Sequence, residues 1–393
     1  MLRTLTRISS LVLPLALLAC TPGEDDGNAE GETNGTETGE TGGEQVGEPC
    51  PPVVEALDES ACMPLATDYV PGADDDYPAC ISDSGTYELV GDPPGTIARL
   101  EAFEEIAALL WSDTAPTTED FAQARTQYNI EEGLASRVDR REDLHYPPIP
   151  EEEWDPGLDP DKQCSNTMLA AAYPERCIGP STLRPMIEQA FIDGIEGNGD
   201  PNVNAAIIKG GLLWFLYLSV YKEAETCFSA KGADCDSHWA YYSGGAQVDG
   251  ELLAYGKLVD QFSPNTHSRV FDAMLAIRCV RDLYPEDMYP AGMPLPAEGQ
   301  ALFDSAWAQL DEALHRSLAV ILRQHAAAQD SCGDSATANW TLVATMGRGL
   351  QREAAERDSA ASSELDALYA LEEPTPAEVG RVIELIDQVF PCP

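Results

Sequence analysis

The chain has 393 residues, enough for one large core or two modest ones, and its 68 acidic against 23 basic groups leave a net charge of −45. A surface of that sign repels nucleic acid, which is held through basic patches, and draws cations or basic partners; it equally suits a solvated acidic coat in a saline habitat. DNA and RNA are therefore excluded as partners.

Segment 1–19 sets Arg3 and Arg7 before an apolar run from Leu11 to Ala19, and Leu17, Leu18 and Ala19 lead directly into Cys20. That order reads as a lipoprotein signal, with Cys20 as the lipidated first residue of the mature chain and its anchor in the membrane. The run falls well short of the roughly 20 apolar residues that span a bilayer. Thr21 stands where an aspartate would favour inner-membrane retention, which directs the anchor to the outer membrane of a Gram-negative cell, facing periplasm or cell surface. Residues 20–49 follow as an acidic flexible linker, with nine acids and no base between 21 and 49.

Ten further cysteines, an even count, suit up to five disulfides in an exported chain. Their wide spacing lacks the paired CxxC of a zinc or iron–sulfur cage. Cys164 with Cys177, and Cys227 with Cys235, are close enough to staple local loops, while Cys392 would tie down a terminus. The others are Cys50, Cys62, Cys80, Cys279 and Cys332.

Residues 50–95, rich in Pro, Gly, Asp and Cys, predict an irregular, disulfide-pinned segment over the main body. From 96 to 393 helical periodicity dominates. Helices are predicted over 96–111, within 118–138, and, after a proline-rich insertion at 144–180, from Pro180 to about Gly194. Asp200 and Pro201 provide a cap and first-turn pair for a strongly apolar helix over 203–226. Further helices are expected from 237 or 238 to 261, over 268–283, over 298–325 and over 337–371. A last one, over 375–390, is opened by Thr375, Pro376 and Glu378. Strand-like alternation is almost absent beyond the first hundred residues. The fold class is all-α, one or two antiparallel bundles with irregular disulfide-pinned insertions.

The densest chemistry lies in 212–256. A buried apolar rod ends at Lys222, Glu223 and Glu225, and a Cys227–Cys235 link would clamp Glu223 opposite Asp236, His238 and Tyr242. Glu251 lies thirteen residues past His238, a more distant partner. Carboxylate and imidazole on facing antiparallel rods are how bundle metal sites are made, so the expected ligands are Glu223, Asp236 and His238, with Glu251 outermost. The plainer alternative keeps the glutamates solvated at a helix end and the aromatic residues as packing.

Elsewhere, Arg137, Arg140 and Arg141 beside Glu142, Asp143 and His145 read as an ion-pair network, and 193–204 as a capped interhelical turn rather than a calcium loop. His315 and His325, ten residues apart on one helix, are out of phase and do not pair; His267 reads as a first-turn residue. No HExxH, GxSxG, glycine-rich phosphate loop or CxxCH motif is present, so a binder is expected rather than an enzyme.

The stretch AIIKGGLLWFLYLSVYKEAETC followed by DCDSHWAYYSG resembles the secreted iron-assimilation proteins induced by low iron in green algae and their bacterial relatives, over about residues 200–285. Glu223, Asp236, Trp239, Tyr241, Tyr242 and Gly244 carry the likeness, with Asn265 and the 270–277 helix downstream; Ser237 and His238 stand where a further acidic residue would be expected. The resemblance implies extracytoplasmic handling of iron by a carboxylate-rich helical domain. The expectation is thus a lipid-anchored protein capturing iron or another divalent cation such as zinc, manganese or calcium, with an uptake transporter as a partner. The alternative is a scaffold or solute-binding lipoprotein using Trp214, Trp239 and Trp307.

Overall fold

The computed structural model describes residues 57, 59, 63–72, 77–112, 114–130, 133–229, 232–290, 292–329 and 336–391. Cys20, the linker, and Cys50, Cys62, Cys332 and Cys392 lie outside the described residues. Helices come in the order α1 (Pro94–Leu110), α2 (Thr118–Tyr128), α3 (Leu134–Val138), α4 (Thr167–Ala172), α5 (Arg184–Glu196), α6 (Pro201–Ser229) and α7 (Ala233–Ser243). Then follow α8 (Ala254–Phe262), α9 (Pro264–Leu283), α10 (Ala297–Gln329), α11 (Ala336–Gly347), α12 (Gln351–Arg357), α13 (Ser359–Tyr369) and α14 (Pro376–Val389). No strand occurs among the described residues, and the fold is all-α.

Sequence chemistry accounts for the helix ends. Asp200 Oδ1 accepts from Asn202 N at 2.8 Å, and α6 then runs from Pro201, whose missing N–H is no loss in a first turn. Thr375 and Glu378 form a reciprocal capping box at the start of α14. The apolar content of α6, enough by length and composition for a membrane span, is instead mostly buried inside the fold, where α6 packs against α5, α7 and α11. Leu212 through Leu218 are buried without interruption, each large side chain contributing about 1.5–3 kcal/mol. Helix α10 lies against α9, α11 and α14.

Two long predicted helices are broken. The one expected from 237 or 238 to 261 is α7 and α8, because Gly244 and Gly245 take φ of +72° and +88°, left-handed values that end α7 and open a turn. The one expected over 337–371 is α11, a 3-10 turn at Arg348–Leu350, α12 and α13. Asp358 interrupts it with an extended backbone, and its side chain accepts from Ala360 N and Ala361 N as the cap of α13. Prediction also placed a helix start at Pro180, where the chain makes a π turn, Gly179–Leu183, before α5.

Three disulfides join described residues: Cys164–Cys177, Cys227–Cys235 and Cys80–Cys279, the last spanning 199 positions. The irregular segment before α1 is strapped to the helices by side chains that imitate a β-partner. Gln309 accepts from Tyr69 N at 2.8 Å and donates to Tyr69 O at 3.1 Å; Gln247 does the same for Tyr87 at 2.8 and 3.1 Å. Each clamp satisfies both backbone groups of a residue that no strand could pair.

The stretch after α3 runs alongside the start of the π turn. Asp143 N donates to Arg176 O at 2.8 Å and Gly179 N to Arg141 O at 2.9 Å. A Cβ on Gly179 would come within 2.1 Å of Val138 O and 2.6 Å of Arg141 N, backbone atoms with no rotamer to escape into. Gly179→Ala is therefore expected to destabilise the fold by about 3 kcal/mol, measured as a lowered urea midpoint. An unchanged midpoint would show that the two strands of chain part without penalty.

Candidate metal centre

The pairing of 141–143 with 176–179 fixes what comes next in the chain. Asp143 accepts from His145 N at 3.0 Å, closing a tight side-chain turn, and the same Oδ1 lies 2.7 Å from His145 Nδ1. One carboxylate thus sets both the backbone and the ring of His145. Arg176 braces the loop by donating to Tyr146 O at 2.8 Å and by pairing with Glu142 at 2.9 Å.

From the other side, α10 presents Asp311 and His315, one turn apart on a single face. His315 Nδ1 lies 3.2 Å from Tyr221 Oη, and Tyr221 donates to Asp311 Oδ1 at 2.9 Å. A hydroxyl that donates to Asp311 can still accept from His315, so this network puts the His315 proton on Nδ1. Helix α12 supplies Glu353, whose Oε2 lies 3.7 Å from His315 Nε2 while its Oε1 accepts from Arg357 at 2.6 Å. The His145 and His315 ring centroids are 5.2 Å apart, with the Tyr217 and Tyr221 rings of α6 packed on both.

His145, Asp311 and His315 each offer a ligand atom, and these atoms lie within 4.8 Å of one another. Nε2 of His145, Nε2 of His315 and the hydroxyl of Tyr217 are buried with no hydrogen-bond partner. With Asp143 and Tyr221 occupying the two Nδ1 positions, each imidazole turns an unpartnered Nε2 into the interior. Leaving such groups unpaired costs about 1–3 kcal/mol apiece, and fixing a histidine through its second nitrogen is how proteins orient a metal ligand.

The local electrostatics agree. Burial works against protonating His145, but its bond to Asp143 and the charges of Asp143, Asp311 and Glu353 outweigh it and hold its pKa above the ordinary histidine value. Burial pushes His315 down to about 3, with Glu353 pulling the other way, so this ring is a neutral donor. Burial raises Asp311, against the opposing bond from Tyr221. A cation between these groups would do for the carboxylates what the proton on His145 otherwise does. The Asp311 side chain is 33% exposed, which leaves the centre a route to solvent.

Among the described residues, the four residues expected as ligands form no ligating cluster. Glu223 is held by Arg141 at 3.4 Å; burial alone would raise its pKa, yet Lys222 and Arg141 keep it below the usual range. Asp236 accepts from Val90 N at 3.0 Å and Gly91 N at 2.6 Å, tying the irregular segment to α7. Glu251 is exposed in the turn between α7 and α8. His238 is fully buried, and neither ring nitrogen has a hydrogen-bond partner. Among the described residues the ligating cluster is His145, Asp311 and His315, and none of the four belongs to it. Trp214 and Trp239 are core residues, and Trp307, half-buried, packs on Tyr221 and Phe303.

His238 gives a pH test. Burial lowers its pKa to about 4, Glu223 being the one nearby charge that opposes this; Tyr87 packs edge-on against the ring. With the folded pKa below the unfolded value, the unfolded chain binds the extra proton, so stability falls as pH drops from about 6.5 toward 4. His238→Leu removes that linkage and two unpaired nitrogens. It is expected to exceed the parent already at pH 7, and its advantage to grow by about 2–3 kcal/mol near pH 4.5 in urea unfolding. A pH-independent difference would place the imidazole in contact with solvent.

No protein-family model, curated protein or solved structure matches this chain. The functional reading therefore rests on the geometry of the centre.

Proposed function

We propose that this chain is an extracytoplasmic lipoprotein that binds one iron, manganese or zinc ion through His145, Asp311 and His315, with Glu353 beside them, and takes part in metal capture or uptake. The observation that carries it is the pair of imidazoles, His145 half-buried and His315 fully buried, each fixed through Nδ1 and each with a buried, unpartnered Nε2, in one cluster with Asp311 whose ligand atoms lie within 4.8 Å of one another. Two nitrogens and one or two carboxylate oxygens suit borderline first-row metals. Calcium, which takes an all-oxygen shell, suits this donor set less well. The three disulfides support an oxidising compartment, and the Cys20 signal supports a lipid anchor there.

The test is titration of the purified, chelator-treated chain with iron, manganese and zinc by calorimetry and elemental mass spectrometry at about 0.15 M salt, where the diffuse acidic surface is screened. One equivalent bound saturably is expected. Uptake that scales with free metal and vanishes on raising the salt would leave only the acidic surface and remove the proposal.

A further inference from the structure

Five of the chain's 23 basic residues, Arg99, Arg137, Arg140, Lys162 and Lys222, line one cavity of about 800 Å³. Its walls come from α1, the end of α3, the turn at Pro160–Ser165, the end of α6 and the start of α7. A sixth, Arg141, stands beside it against Glu223 and over the rings of Phe215 and Tyr241. In a protein whose acids outnumber its bases about threefold, this is a reversal of local charge.

The acids on these walls do not cancel it. The lining holds four acids, Asp159, Asp161, Glu223 and Asp234, to its five bases, and Arg141 beside it adds a sixth base. A guanidinium has five N–H donors and one carboxylate accepts two, so an arginine already in an ion pair keeps donors for a second anion. Arg99 also reaches Tyr241 Oη at 3.4 Å, which adds a hydroxyl to the wall.

We infer that this cavity is a binding site for a small anion carrying two or more carboxylate or phosphoryl groups. The cations sit on separate walls, so a ligand must present several anionic groups to engage them at once. The volume falls within the roughly 300–1,000 Å³ of small-molecule sites. The surrounding negative field repels a simple monoanion, and only convergent, bidentate contacts overcome it. The site shares no residue with the metal centre, so either reading can fail without the other.

Calorimetry on the metal-free chain tests this with three probes: citrate, inorganic pyrophosphate and, as an uncharged control, xylitol. Saturable binding of citrate or pyrophosphate is expected, weakened at least about tenfold in Arg137→Gln/Arg140→Gln and unchanged in Arg381→Gln, a remote exposed arginine. Citrate alone would identify a polycarboxylate ligand, and pyrophosphate alone a phosphoryl ligand. Should the double variant melt early, Lys162→Gln, whose side chain is partly exposed, replaces it with the same expected direction. No saturable heat from either anion, or binding indifferent to these substitutions, overturns the inference.

Discussion

Replacing His145 and His315 together by glutamine is expected to abolish saturable metal binding, a loss of more than about 100-fold in affinity, whereas Glu223→Gln/Glu251→Gln leaves it unchanged. The contrast follows from what each side chain touches. Glu223 already answers Arg141, and Glu251 faces solvent, while the two histidines point unpartnered Nε2 atoms into the interior. Asp143 grades the effect. Asp143→Asn keeps an oxygen to accept from His145 Nδ1 but drops the charge, so about a tenfold loss is expected; Asp143→Ala also releases the ring and the turn, and about 100-fold is expected. Calorimetric affinities for iron, manganese and zinc, with circular dichroism to confirm folding, give the ranking. Equal affinities for all three Asp143 species would mean that His145 does not touch the metal.

The same residues explain why the fold was more legible in sequence than the site. Helix starts are local chemistry: Asp200 with Pro201, and Thr375 with Glu378, cap the helices they were expected to cap, because donor and acceptor lie within one turn. Cys164–Cys177 and Cys227–Cys235 close loops short enough to anticipate. Of the interior breaks, the Gly244–Gly245 pair is itself a local turn signal, whereas Asp358 could have been tolerated within a helix, and it is packing that selects the turn there. The cluster of polar residues at 212–256 drew attention through density, but Asp236 was taken up by the backbone of the irregular segment, a contact across about 145 positions. His145 and His315 are 170 positions apart and meet only because the 176–179 pairing turns one loop toward α10. The local trace of the centre was Asp311 four residues before His315, a carboxylate and an imidazole on one helical face.

The largest loss of stability is expected from Arg269→Met. Arg269 is 2% exposed, and its guanidinium lies 2.8 and 2.9 Å from Asp68 Oδ2, itself buried, and 3.4 Å from Glu312 on α10. It therefore joins three parts of the chain: the irregular segment, α9 and α10. Methionine fills much of the volume but leaves the Asp68 carboxylate buried without its cation, and breaking such a pair costs about 3–5 kcal/mol. Asp272, one turn along α9, worsens the vacancy. Burial and the charge of Asp68 already raise its pKa to about 7, and an acid offers the Asp68 carboxylate no positive charge. Asp68→Asn/Arg269→Met removes both charges and is expected to recover most of the loss, since it is the uncompensated charge, not the missing contact, that destabilises. Urea unfolding of the four members of this cycle at pH 7 decides it. A double variant no more stable than Arg269→Met would shift the cause to packing around the guanidinium stem.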